Sequence, residues 1–98
     1  MNPADPSGDE PIVLPIEDSL DLHAFQPKDV ASVVEEYLEE CRRAGIPEVR
    51  LIHGKGVGVQ RNIVRSVLSK HPAVFSYHDA SAEAGGWGAT VVVLKQER

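Results

Sequence analysis

Three short stretches of this chain hold residue types that could do chemistry together. The first is Asp21-Leu22-His23, a carboxylate two residues from an imidazole. The second is His53-Gly54-Lys55-Gly56, followed by Gly58 and Arg61, and the third is Gly86-Trp87-Gly88-Ala89-Thr90. Imidazole titrates near neutral pH, so His23 and His53 could act as acid and base in cleaving a phosphodiester. Asp21 could orient an imidazole or hold a divalent metal such as magnesium. Glycines at 54, 56 and 58 free the backbone and let a ligand approach its amides. With Lys55 and Arg61 close in sequence and a helix start beyond, a phosphate would find charge and donors together. Two familiar phosphate loops are excluded by spacing, since neither G-x-x-x-x-G-K-[S/T] nor G-x-G-x-x-G is present.

Each feature also has a plain structural reading. Strand-to-helix turns use glycine and tolerate histidine, and a lone His at a strand end is often structural. Gly85, Gly86 and Gly88 suit a flexible, tightly turning loop. Trp87 fits either a stacking platform for an unpaired base or a cap on the core. His71 and His78, beside a helix stop and at a strand end, are treated as incidental.

Composition narrows the field. Ninety-eight residues fit one domain, and 42% hydrophobic content supports a modest core. There is no apolar run of membrane-spanning length and no secretory pattern at the amino terminus. The lone cysteine, Cys41, cannot form an internal disulfide and lies in no zinc-like spacing, so a reducing, cytoplasmic setting is the expectation. The net charge of −5 hides an asymmetry: residues 53–78 hold Lys55, Arg61, Arg65 and Lys70 with no Asp or Glu. A local positive field is what a phosphate binder needs, although a solvated helix face would show the same excess.

Positioning these residues requires an ordered set of elements. Residues 1–15, rich in proline and acids, read as a mobile tail ahead of one domain over 16–98. Asp18 to His23 alternates, with Leu20 and Leu22 on one face and Ser19, Asp21 and His23 on the other, as in a half-buried strand. Pro27 and Asp29 open a helix whose stripe is Val30, Val33, Val34, Tyr37, Leu38 and Cys41, ended by Ala44-Gly45. In that stripe Cys41 is a small buried hydrophobe rather than a nucleophile. Val49–Ile52 is a second strand. A second helix carries Val59, Ile63, Val64, Val67 and Leu68 up to His71-Pro72. Val74–His78 and Ala89–Leu94 are the third and fourth strands, the last apolar on both faces and so expected inside the sheet.

The order is β-α-β-α-β-β, an α/β (α+β) two-layer sandwich with two helices on one face of a four-stranded mixed sheet. Right-handed crossovers make the first three strands parallel, and the short last connection makes the fourth antiparallel. That topology brings all three stretches to one sheet edge, outside the carboxyl ends of the parallel strands, where ligands of such sheets bind.

Taken in order, Leu20-Asp21-Leu22-His23, His53-Gly54-Lys55-Gly56 and Gly86-Trp87-Gly88-Ala89-Thr90 resemble the signature of the Smr, or small MutS-related, domain family, over about Ile16 to Lys95. The resemblance implies a fold similar to the carboxy-terminal domain of bacterial translation initiation factor three, with the fourth strand between the second and third. It implies DNA or RNA as partner, branched or structured, with nicking or cleavage in some members and binding alone in others. DNA repair or recombination is suggested by the family's name alone. By position, Asp21 and His23 carry the first motif and, with His53, the expected catalysis. Gly54, Lys55, Gly56, Gly58, Arg61, Gly86, Trp87, Gly88 and Thr90 are the expected phosphate and nucleic-acid contacts. The family's first motif usually continues with glycine, and here Ala24 stands instead.

Three functions follow from these readings: a nicking endonuclease, a non-catalytic nucleic-acid module on the same edge, and a protein-interaction domain using the tail and Glu35, Glu36, Glu39 and Glu40. A resident metal and the oligomeric state are left open by the sequence.

Overall fold

Two amphipathic helices and a sheet with one apolar face leave water only by covering each other. The computed structural model describes residues 18–54, 58–84 and 86–96, the side chains of Ala84 and Trp87 excepted. The expected tail, residues 1–15, lies outside the described residues. The elements are β1 (Ser19–Asp21), α1 (Pro27–Arg43), β2 (Glu48–Ile52), α2 (Val59–Lys70), β3 (Val74–Asp79) and β4 (Ala89–Leu94). They form a four-stranded sheet in the order β1-β2-β4-β3. β1 and β2 are parallel, and β4 runs antiparallel to both β2 and β3. The expected mixed two-layer fold is therefore the observed one, with β4 inside the sheet.

The core shows why. Val30, Val34, Leu38 and Cys41 of α1 and Val64, Val67 and Leu68 of α2 are buried against Val49, Leu51, Val92 and Leu94 of the central strands. Alternation sends those strand residues to the helical face, and each buried leucine contributes about 1.5–3 kcal/mol relative to an exposed one. At the end of α1, Gly45 takes φ +76, which a side chain would resist. This lets the Gly45 and Ile46 amides donate to the carbonyls of Arg42 (3.1 Å) and Cys41 (3.0 Å), closing the helix. α2 stops at His71, whose Nδ1 accepts the Ala73 N–H at 3.1 Å.

Three details differ from expectation. β1 has three residues rather than six, because the Asp21 side chain takes the His23 amide and turns the chain. The link from β3 to β4, expected only as a flexible, tightly turning loop, takes up two short 3-10 turns, Ala82–Ala84 and Gly86–Gly88. β3 carries a register shift between Val74 and Ser76 that leaves Phe75 71% exposed. Among the described residues no helix is long and apolar enough to cross a membrane.

Leu51→Ala is expected to cost about 2–5 kcal/mol in urea unfolding. Phe75→Ala, at the exposed bulge, is expected to change stability by less than about 0.5 kcal/mol.

Candidate functional site

The strand register delivers the three motifs to one edge. Asp21 pairs with Ile52 at the ends of β1 and β2, and Ile52 pairs with Ala89 at the start of β4. Asp79, at the end of β3, pairs with Thr90. The Leu22 amide extends the ladder by donating to the Ile52 carbonyl at 2.8 Å, so His23 and His53 leave the sheet side by side. The Gly88 carbonyl then accepts both the His53 amide (3.1 Å) and the Gly54 amide (2.8 Å). Those two bonds tie the second motif to the third.

His23 is the exposed imidazole of this edge. Asp21 Oδ1 lies 2.9 Å from the His23 amide and 2.6 Å from its Nδ1, and both side chains are 62% exposed. An ionised carboxylate only accepts, so Nδ1 carries the proton and, in the neutral ring, Nε2 presents a lone pair. The amide hydrogen bond, followed by the ring hydrogen bond, holds the Asp21 carboxyl below its usual range. The ring lies over Gly54, where an added Cβ would come within 2.8 Å of Nε2. Gly54 itself has φ +84. It thus supplies an unusual backbone angle and the space for a ring at once.

His53 is placed differently from the acid–base role expected of it. It is 6% exposed, its Nδ1–H donates to the Gly54 carbonyl at 3.0 Å, and its Nε2 accepts from the Thr90 hydroxyl at 2.9 Å. Burial pushes its pKa below the ordinary 6.5; the Gly54 bond opposes this, while the nearby charges of Arg61 and Arg65 reinforce it. The ring is neutral with both nitrogens engaged. Thr90, expected among the nucleic-acid contacts, is fully buried with its hydroxyl on His53.

The phosphate-directed residues divide. Gly58 is the N-cap of α2 in the left-handed region (φ 87), and among the described residues that helix end has no side-chain cap and no acid in its first turn, a polarity that suits an anion. Gly86, at φ 55, shapes the turn and donates its amide to the Ser81 carbonyl at 2.7 Å. Gly88 acts through its carbonyl, as above. Lys55, Gly56 and the Trp87 side chain lie outside the described residues. Ala24 is exposed in the turn closed by the Phe25 amide on the Leu22 carbonyl (3.1 Å).

Arg61 is not free. Its Nη2 donates to Asp79 Oδ1 at 2.9 Å, and Arg65 Nη2 reaches the same oxygen. The acid-free run over 53–78 therefore overstated the local charge, because the next residue in the chain folds back on two of its four cations. Asp79, Arg65 and Gln60, whose side-chain amide donates to the Phe25 carbonyl at 2.9 Å, are site residues absent from the motif reading. A signal for the first two existed: Arg61 and Arg65 are four apart on a helix, and Tyr77 and Asp79 share a strand face. Among the described residues no group of three His, Cys, Asp or Glu could hold a metal ion. Asp21, the residue expected to hold a metal, has Oδ1 committed to His23.

Gly54→Ala is expected to lower stability by about 1–3 kcal/mol and to displace the His23 ring, read as a chemical-shift change at His23. His53 adds a pH dependence. Its folded pKa lies below the unfolded 6.5, so its contribution is complete above 6.5 and is lost as pH falls through the folded pKa. Denaturant midpoints should fall over that window in the wild type, and His53→Asn should flatten the slope.

Comparison with known proteins agrees with the motifs and the fold. A family model described as the Smr domain matches residues 20–95. Over 80 residues the chain is 39% identical to endonuclease MutS2 of Clostridium perfringens, covering 82% of this chain and 10% of that protein. Against endonuclease MutS2 of Geobacillus sp. it is 41% identical over 76 residues, 78% of this chain and 10% of that protein. The chain thus spans about a tenth of the length of these curated relatives. The crystal structure of the Smr domain of Thermus thermophilus MutS2 is similar with a TM-score of 0.77 and 37% identity, covering 81% of this chain and 99% of that one. YdaL, a stand-alone small MutS-related protein from Escherichia coli, is similar with a TM-score of 0.70 and 30% identity, covering 81% of this chain and 65% of that one. With motifs, topology and these matches in agreement, the chain belongs to the Smr domain family.

Proposed function

We propose that this chain binds structured or branched nucleic acid at the common strand edge and nicks or cleaves its phosphodiester backbone. One observation carries the reading: Asp21 Oδ1 accepts both the amide and the ring N–H of an exposed histidine. This arrangement fixes the tautomer and orients the ring as a general base requires. His23 Nε2 would take a proton from the attacking hydroxyl, either water or an RNA 2′-hydroxyl. The bond from that oxygen to phosphorus forms as the bond to the leaving oxygen breaks. The imidazolium, hydrogen-bonded to Asp21, then gives its proton to the departing oxygen. His53 acts as a positioning residue, holding Gly54 and Thr90 so that the loop beneath His23 keeps its shape. The uncapped start of α2 supplies donors toward the phosphate.

The names of the curated relatives support a nuclease setting for the domain, and they describe proteins some ten times its length. A cytoplasmic setting belongs to the same reading, supported by the free, buried Cys41. A second reading, a non-catalytic binding module, is favoured by the engagement of both His53 nitrogens, which occupies one of the two imidazoles expected to work as acid and base. The protein-interaction reading through α1 is weaker, because Glu39 and Glu40 are paired with Arg42 and Arg43.

A nicking assay on supercoiled plasmid and on hairpin RNA separates these functions. His23→Ala is expected to lower the cleavage rate by about 10²–10⁴-fold with affinity retained, and Asp21→Asn to lower it less. Cleavage by His23→Ala at the wild-type rate would falsify the chemistry. Wild-type binding without cleavage would establish the second reading.

A further inference from the structure

Two guanidiniums aimed at one carboxylate oxygen form an anion site that the chain has filled with its own side chain. Arg61 and Arg65, four residues apart on α2, both direct Nη2 at Asp79 Oδ1. Among the described residues the buried Nε atoms of both arginines find no hydrogen-bond partner, and each guanidinium meets the carboxylate through Nη2. Arg65 is further held over the Tyr77 ring, 5.4 Å from its centroid. The arginine side chains are 26% and 29% exposed and Asp79 is 45% exposed, so the arginines are backed by protein and the carboxylate faces water. The cluster sits at the candidate site: Asp79 pairs with Thr90, and Thr90 holds His53.

We propose that Arg61, Arg65 and Asp79 form a second phosphate subsite for nucleic acid, in which Asp79 holds the phosphate's place until the nucleic acid displaces it. The inference rests on the nucleic-acid reading above and deepens it. A phosphodiester brings two non-bridging oxygens and one negative charge to two guanidiniums, whereas Asp79 offers them a single shared oxygen. Its carboxyl is held below the usual range by the Arg61 hydrogen bond first, so it is ionised wherever nucleic acid binds. The cluster as built carries two cations against one anion. Asp79 sets the affinity of this edge low while keeping both arginines aimed outward. Its side chain can swing away while its backbone stays in the β3–β4 ladder.

Two measurements test this on Asp79→Asn, Arg65→Gln and the double variant. The first is the affinity for labelled branched DNA and hairpin RNA across salt concentration. Asp79→Asn is expected to bind about 3–10-fold tighter at low salt, with a log–log salt slope steeper by about one. Arg65→Gln is expected to bind more weakly with a shallower slope, and the double variant to return to the wild-type slope. Folded Asp79→Asn with wild-type or weaker affinity overturns the subsite. Should Asp79→Asn fail to fold, an unchanged slope in Arg65→Gln overturns it equally.

The second measurement is thermal melting with inorganic phosphate, which is expected to stabilise Asp79→Asn more than the wild type. If no variant binds nucleic acid yet phosphate shows this difference, the anion subsite stands and the nucleic-acid reading fails. If phosphate shows no difference and affinities do not move, the subsite is overturned by itself.

Discussion

The carbonyl of Gly88 is the joint on which this edge depends. By accepting the amides of both His53 and Gly54, it fastens the start of β4 to the end of β2. With that bond in place His53 can reach Thr90 on one side and the Gly54 carbonyl on the other. Gly54 is then held at its positive φ, and the His23 ring rests on the surface that its missing side chain leaves bare. The exposed imidazole is positioned by backbone and by a buried histidine, and only its orientation is set by Asp21.

The two histidines show how environment divides labour between identical side chains. His53 is enclosed, neutral and saturated with hydrogen bonds, so its proton is fixed in the structure. His23 is largely exposed, with Nδ1 anchored by Asp21 and Nε2 set against Gly54. Charge is divided in a similar way. The positive potential implied by α2 is checked by one acid, Asp79, which comes from the end of a strand rather than from the helix. On α1, Glu39 and Glu40 are met by Arg42 and Arg43 within the same helix. The net charge of −5 therefore says little about this edge, where a few placed side chains set the field.

Much of the fold was legible because periodicity reports burial directly. The stripe from Val30 to Cys41 could bury itself only as a helix, and Ala89–Leu94, apolar on both faces, could sit only inside the sheet. β1 was misjudged in length because alternation tracks faces and is blind to a side chain that competes for the backbone, as Asp21 does for the His23 amide. The last loop was read only as tightly turning because glycine content signals conformational freedom without saying that 3-10 turns will use it. Asp79 was missed because the charge count ended at a segment boundary, and a salt bridge between residues 14 or 18 positions apart leaves no periodic trace.

By itself the sequence determined the element order, the class of fold, the family and the edge where the motifs gather. Those follow from local patterns, chain connectivity and the fixed hand of crossovers. Only the tertiary structure decided which histidine is buried and which is exposed, that Thr90 serves His53, and that Arg61 and Arg65 share one carboxylate. The reason is physical: desolvation and hydrogen-bond competition depend on which groups meet across the sheet, and those meetings exist only once the chain is folded.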